Sequence, residues 1–152
     1  MLRWLAQSRV QYIVVGDVAR AIRGDSKAGG PVAIAPAPYG RNLEHLAQAL
    51  ASAHARMRVD RAGAELPPAK LNAEKLARGQ RWALRCGVHD LDIEGPASGL
   101  PSYQDLVYEA GTFEPEPGLK VEVASLADIE RFEHLHQIDA EIRITRAERE
   151  PA

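Results

Sequence analysis

The segment from His89 to Glu94 carries the residues of this chain that are best placed to do chemistry. Asp90, Asp92 and Glu94 alternate there with apolar residues, and on a β-strand such alternation puts three carboxylates on one face. Carboxylate oxygens are the ligands that Mg²⁺ and Mn²⁺ prefer, so the pattern permits a metal site with Asp90 and Asp92 as catalytic residues. Three like charges repel one another unless a cation or a basic partner lies among them. The alternative interpretation is a half-exposed strand with its polar face in solvent.

The elements that would position these carboxylates alternate between strands and helices. Runs of β-branched and aromatic residues predict strands, and apolar residues spaced by three and four predict helices. We expect strands over residues 10–15, 32–35, 82–84, 89–94 and 119–123, and helices over residues 17–23, 42–57, 71–76 and 103–110 and from 125 onward. Asp17 is predicted to be the N-cap of the first helix and Gly24 its stop. This alternation indicates an α/β or mixed α+β fold.

Composition and charge are those of an ordinary globular protein. The 152 residues fit one domain, which we expect to span residues 1–140, with a charged, frayed tail over residues 141–152. A net charge of −2 creates no general attraction for nucleic acid or an anionic membrane, so neither partner is expected. The chain has no apolar run of membrane-spanning length and no signal-peptide pattern, so we expect a cytoplasmic protein.

Several segments resemble a known family in their order and spacing. Residues 12–19, YIVVGDVA, resemble the strand, turn and helix that open the minimal nucleotidyltransferase fold. This family includes DNA polymerase beta-like proteins and the AbiEii- and MNT-type nucleotidyltransferase-like proteins. Residues 91–93 resemble the strand that supplies the family's third carboxylate, and residues 103–106 and 121–128 resemble its later segments. The resemblance covers roughly residues 10–135 and implies a mixed β-sheet flanked by helices.

The resemblance also implies a nucleotide site and a metal site, and the chain departs from both. Gly16 and Asp17 stand in the turn that meets the triphosphate in the family, and Lys27 stands at a basic position after it. The two metal-binding aspartates of the family fall at Pro31 and Ala33, which have no side-chain oxygen. Nucleotidyl transfer needs divalent ions held by such carboxylates. The resemblance is therefore to a degenerate member of the family.

Basic residues near the expected phosphate site allow two interpretations. Arg20, Arg23 and Lys27 could form a small basic patch there, or they could form a solvated helix end. Asp17 stands where the family has serine or glycine, and its carboxylate would repel a phosphate. The lysine that often follows in the last helix of the family is lost near Glu133. These changes weaken the case for a bound nucleotide.

Three functions remain open at this point. The first, which we favour, is an inactive nucleotidyltransferase-fold protein kept for binding or regulation, with a protein partner and no cofactor. Toxin–antitoxin systems are the setting that the family suggests for it, and nucleotide binding is not expected. The second is an active, magnesium-dependent nucleotidyltransferase that holds its metal with Asp90, Asp92 and Glu94. The third is a structural or self-associating module whose cleft is filled.

Overall fold

Residues 1–24, 30–58, 67–95 and 100–135 are described by a computed structural model, in which one mixed β-sheet is flanked by helices. The strands are β1 (Tyr12–Val15), β2 (Val32–Pro36), β3 (Arg56–Met57), β4 (Trp82–Cys86), β5 (His89–Ile93), β6 (Gly111–Glu116) and β7 (Leu119–Val123). The helices are α1 (Leu2–Gln7), α2 (Gly16–Ile22), α3 (Gly40–Ser52), α4 (Ala73–Ala77), α5 (Tyr103–Glu109) and α6, which covers residues 126–135. The predicted mixed α+β class is confirmed.

The register of the central strands decides which side chains meet. The seven described strands lie in the order β3-β4-β5-β2-β1-β7-β6. Strand β1 is antiparallel to β2 and parallel to β7, and β2 is parallel to β5. Val15 pairs with Ala33, and Ala33 pairs with Asp92. Because paired residues point to the same face of a sheet, these three side chains form one row across its centre.

The hydrophobic core contains the apolar stripe of α3 and the central strands. Leu43, Leu46 and Leu50 recur at three and four along α3, as predicted, and all are almost fully buried. They belong to the same cluster as Val14 and Ile34. Burial of this stripe against the sheet holds a helix whose own sequence has no side-chain cap at its start.

A buried asparagine ties α3 to the chain just before β1. Asn42 Oδ1 accepts a hydrogen bond of 2.6 Å from the Gln11 N–H. Its Nδ2 donates to the carbonyl oxygens of Gln11 and Ala37, both at 2.9 Å. The amide thus bonds three backbone groups, of which the Gln11 carbonyl also accepts from the Ala37 N–H at 3.0 Å.

The predicted end of α3 was wrong. The apolar spacing suggested that the helix continues to Met57, but it ends at Ser52. His54 has a left-handed backbone with φ 51°, and the Ala55 N–H donates to the Leu50 carbonyl at 3.0 Å, which is the pattern of a Schellman ending. A glycine usually marks this ending, and its absence hid the signal. The residues that follow form β3 instead.

The start of α2 also differs from the prediction. The N-cap is Val15, without a side-chain hydrogen bond, and the helix begins at Gly16. Asp17 is therefore not the N-cap but lies, exposed, in the first turn, where its charge still interacts favourably with the helix dipole. Gly16 has φ +72°, and a Cβ added there would lie 3.2 Å from the Ala33 Cβ. Gly24, with φ +82°, follows the end of the helix as predicted.

Two described strands, β3 and β6, were not predicted. Strand β6 contains Gly111 and Pro115, two residues that disfavour strands, and it forms because β7 offers a pairing edge. Lys27 and the charged tail over residues 141–152, with the domain boundary at 140, lie outside the described residues. Within the described ranges, no helix is long and apolar enough to cross a membrane.

Candidate functional site

Strand β5 presents its carboxylates as the sequence predicted, on the face opposite its apolar residues. Leu91 and Ile93 are buried in the core. Asp92 is only 5% exposed and Glu94 only 1%, so the interpretation of a polar face in solvent is wrong for these two residues. Buried carboxylates require compensating charge or hydrogen bonds. The structure supplies this compensation with arginine.

Strand β4 and the residue before it place two arginines opposite the acidic residues. In the β4–β5 hairpin Arg85 pairs with Asp90, and the Arg85 Nε donates to the Asp90 Oδ1 at 2.8 Å. This hydrogen bond from Arg85 lowers the pKa of the Asp90 carboxyl below its usual value. Arg81 precedes β4, and its Nε lies 2.9 Å from the Glu94 Oε1.

A third arginine reaches the acidic face from the segment after β3. The Arg58 NH2 nitrogen donates to the Asp92 Oδ1 at 2.6 Å, and its NH1 nitrogen lies 3.9 Å from the Asp90 Oδ2. The NH2 nitrogen of Arg81 lies 3.5 Å from the other Asp92 oxygen, Oδ2. Each carboxylate oxygen of Asp92 therefore faces a different guanidinium group. We call the six residues of this face the arginine–carboxylate cluster: Arg58, Arg81, Arg85, Asp90, Asp92 and Glu94.

Sequence reasoning missed the three arginines, although a signal was present for two of them. The hairpin turn lies at Gly87 and Val88, between β4 and β5. Counting outward from that turn pairs Arg85 with Asp90, and four residues further along each strand it brings Arg81 beside Glu94. The contribution of Arg58 had no such local signal.

The cluster borders an open cleft at the end of β1. The cleft has a volume of about 320 Å³ and is lined by Gly16, Asp17, Pro31, Ala33, Arg81, Asp92, Phe132 and Glu133. The structure thus brings together the residues that the resemblance placed in one site. These are the turn residues Gly16 and Asp17, the positions without a side-chain oxygen, Pro31 and Ala33, and Asp92. The described residues do not fill this cleft.

The basic patch that the sequence allowed beside the phosphate site is not present in the described residues. Arg20 binds Glu133 of α6 through two hydrogen bonds of 2.9 Å. The Arg23 Nε donates to the Ala124 carbonyl at 2.8 Å, and its guanidinium carbon lies 4.8 Å from the centre of the Phe113 ring. Both side chains hold the fold together, so the interpretation as a solvated helix end is wrong as well.

The donor set does not fit the divalent ions that the fold family implies. Neither Pro31 nor Ala33 has a side-chain oxygen, and the third position, Asp92, is bound to two arginines. Among the described residues, no three His, Cys, Asp or Glu side chains are grouped so that they could hold a metal ion. Metal binding and catalysis by Asp90, Asp92 and Glu94 stay predictions that an experiment must decide.

Comparison with known proteins identifies the fold. No protein-family model matches the sequence, and no curated protein matches it. The structure is similar to the crystal structure of a "putative nucleotidyltransferase" from Thermotoga maritima, with a TM-score of 0.58 and 14% sequence identity. The similarity covers 95% of this chain and 86% of that one. At this identity the likeness concerns the fold alone, and the predicted nucleotidyltransferase-like architecture is confirmed.

Proposed function

We propose that this chain is a nucleotidyltransferase-fold protein without catalytic activity, kept for binding or regulation. The observation that carries the proposal is the set of donors around the cleft. Pro31 and Ala33 offer no side-chain oxygen, and the Asp92 oxygens face Arg58 and Arg81. Metal-dependent phosphoryl chemistry needs available carboxylates at such a site. This arrangement supports a binding role over nucleotidyl transfer.

The charge at the other end of the cleft supports the same proposal. Asp17 is exposed in the first turn of α2, and Glu133 lies on α6, bound to Arg20. A phosphate charge about 4 Å from a carboxylate is repelled by on the order of 4 kcal/mol at an effective dielectric near 20. This energy corresponds to about three decades in affinity. Nucleoside triphosphates should therefore bind weakly at this cleft.

Isothermal titration with ATP, GTP, CTP and UTP in the presence of magnesium tests the proposal. No heat of binding is expected at micromolar nucleotide, because Arg81, the arginine in the described lining of the cleft, is already paired with Asp92 and Glu94. Asp17→Ser is the matched variant, since it removes the repelling charge and leaves the fold of the turn. Magnesium-dependent binding of any of these nucleotides to the wild type at micromolar concentration would contradict the proposal.

A protein partner in a regulatory system of the toxin–antitoxin kind is the ligand that we propose. The support for it is the resemblance to the AbiEii- and MNT-type proteins, together with a scaffold that is intact without its metal ligands. Growth of cells that express the chain alone, or with the protein encoded beside it, tests this setting. Identical growth in both cases, with no complex on size-exclusion chromatography, would count against it.

An active nucleotidyltransferase is the second candidate function. The observation in its favour is that Asp90 and Asp92 share one face of β5, and that Glu94, directly after the strand, contacts the same arginine as Asp92. Transfer of radiolabelled nucleotide to protein or RNA in magnesium would support it. Asp92→Ala should then abolish the transfer, and unchanged transfer by this variant would eliminate the candidate.

A further inference from the structure

We infer that Arg58 and Arg81 are the counter-cations of Asp92 and exclude divalent metal ions from its carboxylate. The inference rests on the proposed function, because it concerns how the same cleft would exclude a metal ion. It also goes beyond that function. It assigns the exclusion to two particular side chains, in addition to the missing ligands at Pro31 and Ala33.

The contacts of Asp92 leave little access for an ion. Its side chain is 6% exposed, with Arg58 NH2 at 2.6 Å from Oδ1 and Arg81 NH2 at 3.5 Å from Oδ2. A magnesium-sized ion must approach a carboxylate oxygen to about 2.1 Å and needs a free lone pair there. Two guanidinium groups at these oxygens oppose the ion through their volume and through their positive charge.

The charges within the arginine–carboxylate cluster balance one another. The arginine–carboxylate cluster contains three guanidinium groups and three carboxylates, and each carboxylate lies within 2.9 Å of a guanidinium nitrogen. Guanidinium is less strongly hydrated than an ammonium ion and matches the planar carboxylate, which makes it suited to a partly buried pair. The carboxylates of this cluster therefore have counter-charges without a bound metal.

A substitution at Ala33 can distinguish two explanations for the expected lack of metal binding: exclusion of the ion by the arginines, and the absence of ligands alone. It pairs with Asp92 across adjacent parallel strands, and both residues line the cleft. Ala33→Asp would set two carboxylates side by side on one face, a pair that can share an ion. If only ligands were missing, this change alone would create a metal site. If the arginines exclude the ion, it would not.

Electron paramagnetic resonance of Mn²⁺ distinguishes these cases, since it measures free and bound ion directly. We expect no binding below about 1 mM Mn²⁺ for the wild type or for Ala33→Asp. The double variant Ala33→Asp, Arg58→Met should bind Mn²⁺ at least about 100-fold more tightly than Ala33→Asp, because a positive charge has been removed from the Asp92 oxygen. The control is the double variant that combines Ala33→Asp with Arg85→Met. It loses an arginine of the same cluster, but one that contacts Asp90 and not Asp92, so it should bind Mn²⁺ no more tightly than Ala33→Asp.

The outcomes separate this inference from the proposed function. Tight binding by Ala33→Asp alone, equal to that of the double variant, overturns the inference and leaves the proposed function standing. Binding of Mn²⁺ and transfer of nucleotide by the wild type overturn the proposed function. If circular dichroism shows that the double variant with Arg58→Met is unfolded, a second double variant replaces it. This variant combines Ala33→Asp with Arg81→Met, because Arg81 is the more exposed of the two arginines and its loss should disturb the fold less. An affinity gain of about tenfold is then expected, and no gain overturns the inference.

Discussion

The ion pair between Arg58 and Asp92 is largely withdrawn from water, so breaking it should destabilise the fold. Arg58→Met keeps an apolar side chain of similar length and leaves the Asp92 carboxylate, 6% exposed, with Arg81 at 3.5 Å as its remaining guanidinium partner. Removing one member of a buried pair costs about 3–5 kcal/mol. Because Arg81 remains and the Arg58 side chain is 22% exposed, we expect a loss of about 2–3 kcal/mol. For a chain of this length, that loss lowers the Tm by roughly 4–12 °C.

Urea denaturation of four proteins measures the free energy of this pair: wild type, Arg58→Met, Asp92→Asn and the double variant. The double variant should lose less stability than the sum of the single variants, with a coupling energy of about 1–2 kcal/mol. Arg85→Met is the control, because its pair with Asp90 is much more exposed and should contribute less to stability than the pair of Arg58 with Asp92. Equal losses in Arg58→Met and Arg85→Met, without coupling between Arg58 and Asp92, would refute the reasoning.

Three further predictions concern pH and the backbone. Arg85 lowers the pKa of Asp90, so their pair stabilises the fold above about pH 4, where an unfolded aspartate is ionised. This stabilisation is lost as the pH falls and Asp90 is protonated. Urea denaturation at decreasing pH should therefore show a shrinking difference in stability between wild type and Arg85→Met. Asn42→Ala removes the side-chain partner of the Gln11 N–H and of the Ala37 carbonyl, while the Gln11 carbonyl still accepts from the Ala37 N–H. It should lower the free energy of unfolding by about 2–3 kcal/mol, and a loss below about 0.5 kcal/mol in urea would contradict the role of Asn42 in joining these segments. Gly16→Ala should lower the Tm more than Gly118→Ala. Both glycines have a positive φ, but only at Gly16 would the added Cβ meet another strand, at Ala33. Equal shifts in Tm would show that the close approach of Gly16 to Ala33 is unimportant.

Local patterns predicted the elements whose side chains alternate or recur regularly. The face of β5 that carries Asp90 and Asp92 followed from period-two alternation, and the apolar stripe of α3 followed from spacing by three and four. These properties depend on backbone geometry alone, so a sequence reveals them without a partner. Where the backbone departs from its usual signals, as at His54, the prediction failed. There the surrounding structure holds a non-glycine residue in the left-handed conformation.

The burial of Asp92 and its contacts with arginine could not be predicted from local sequence patterns. Arg58 lies 34 residues before Asp92, and nothing in the intervening sequence indicates that the two side chains meet. Their contact depends on the order of β3, β4 and β5 in the sheet and on the register of each pair. This register places arginines beside the carboxylates of β5. Their negative charge, which suggested a metal site in the sequence, is therefore compensated by arginine.

The amino-acid sequence by itself determined that positions 31 and 33 carry no side-chain oxygen, because proline and alanine cannot ligate a metal in any fold. It also determined that Asp90 and Asp92 point the same way along one strand. Only the tertiary structure decided that Asp92 is buried and paired with Arg58 and Arg81. The physical reason is that chemical type and strand periodicity are local properties. Charge compensation, in contrast, depends on distances between segments that the folded sheet alone brings together.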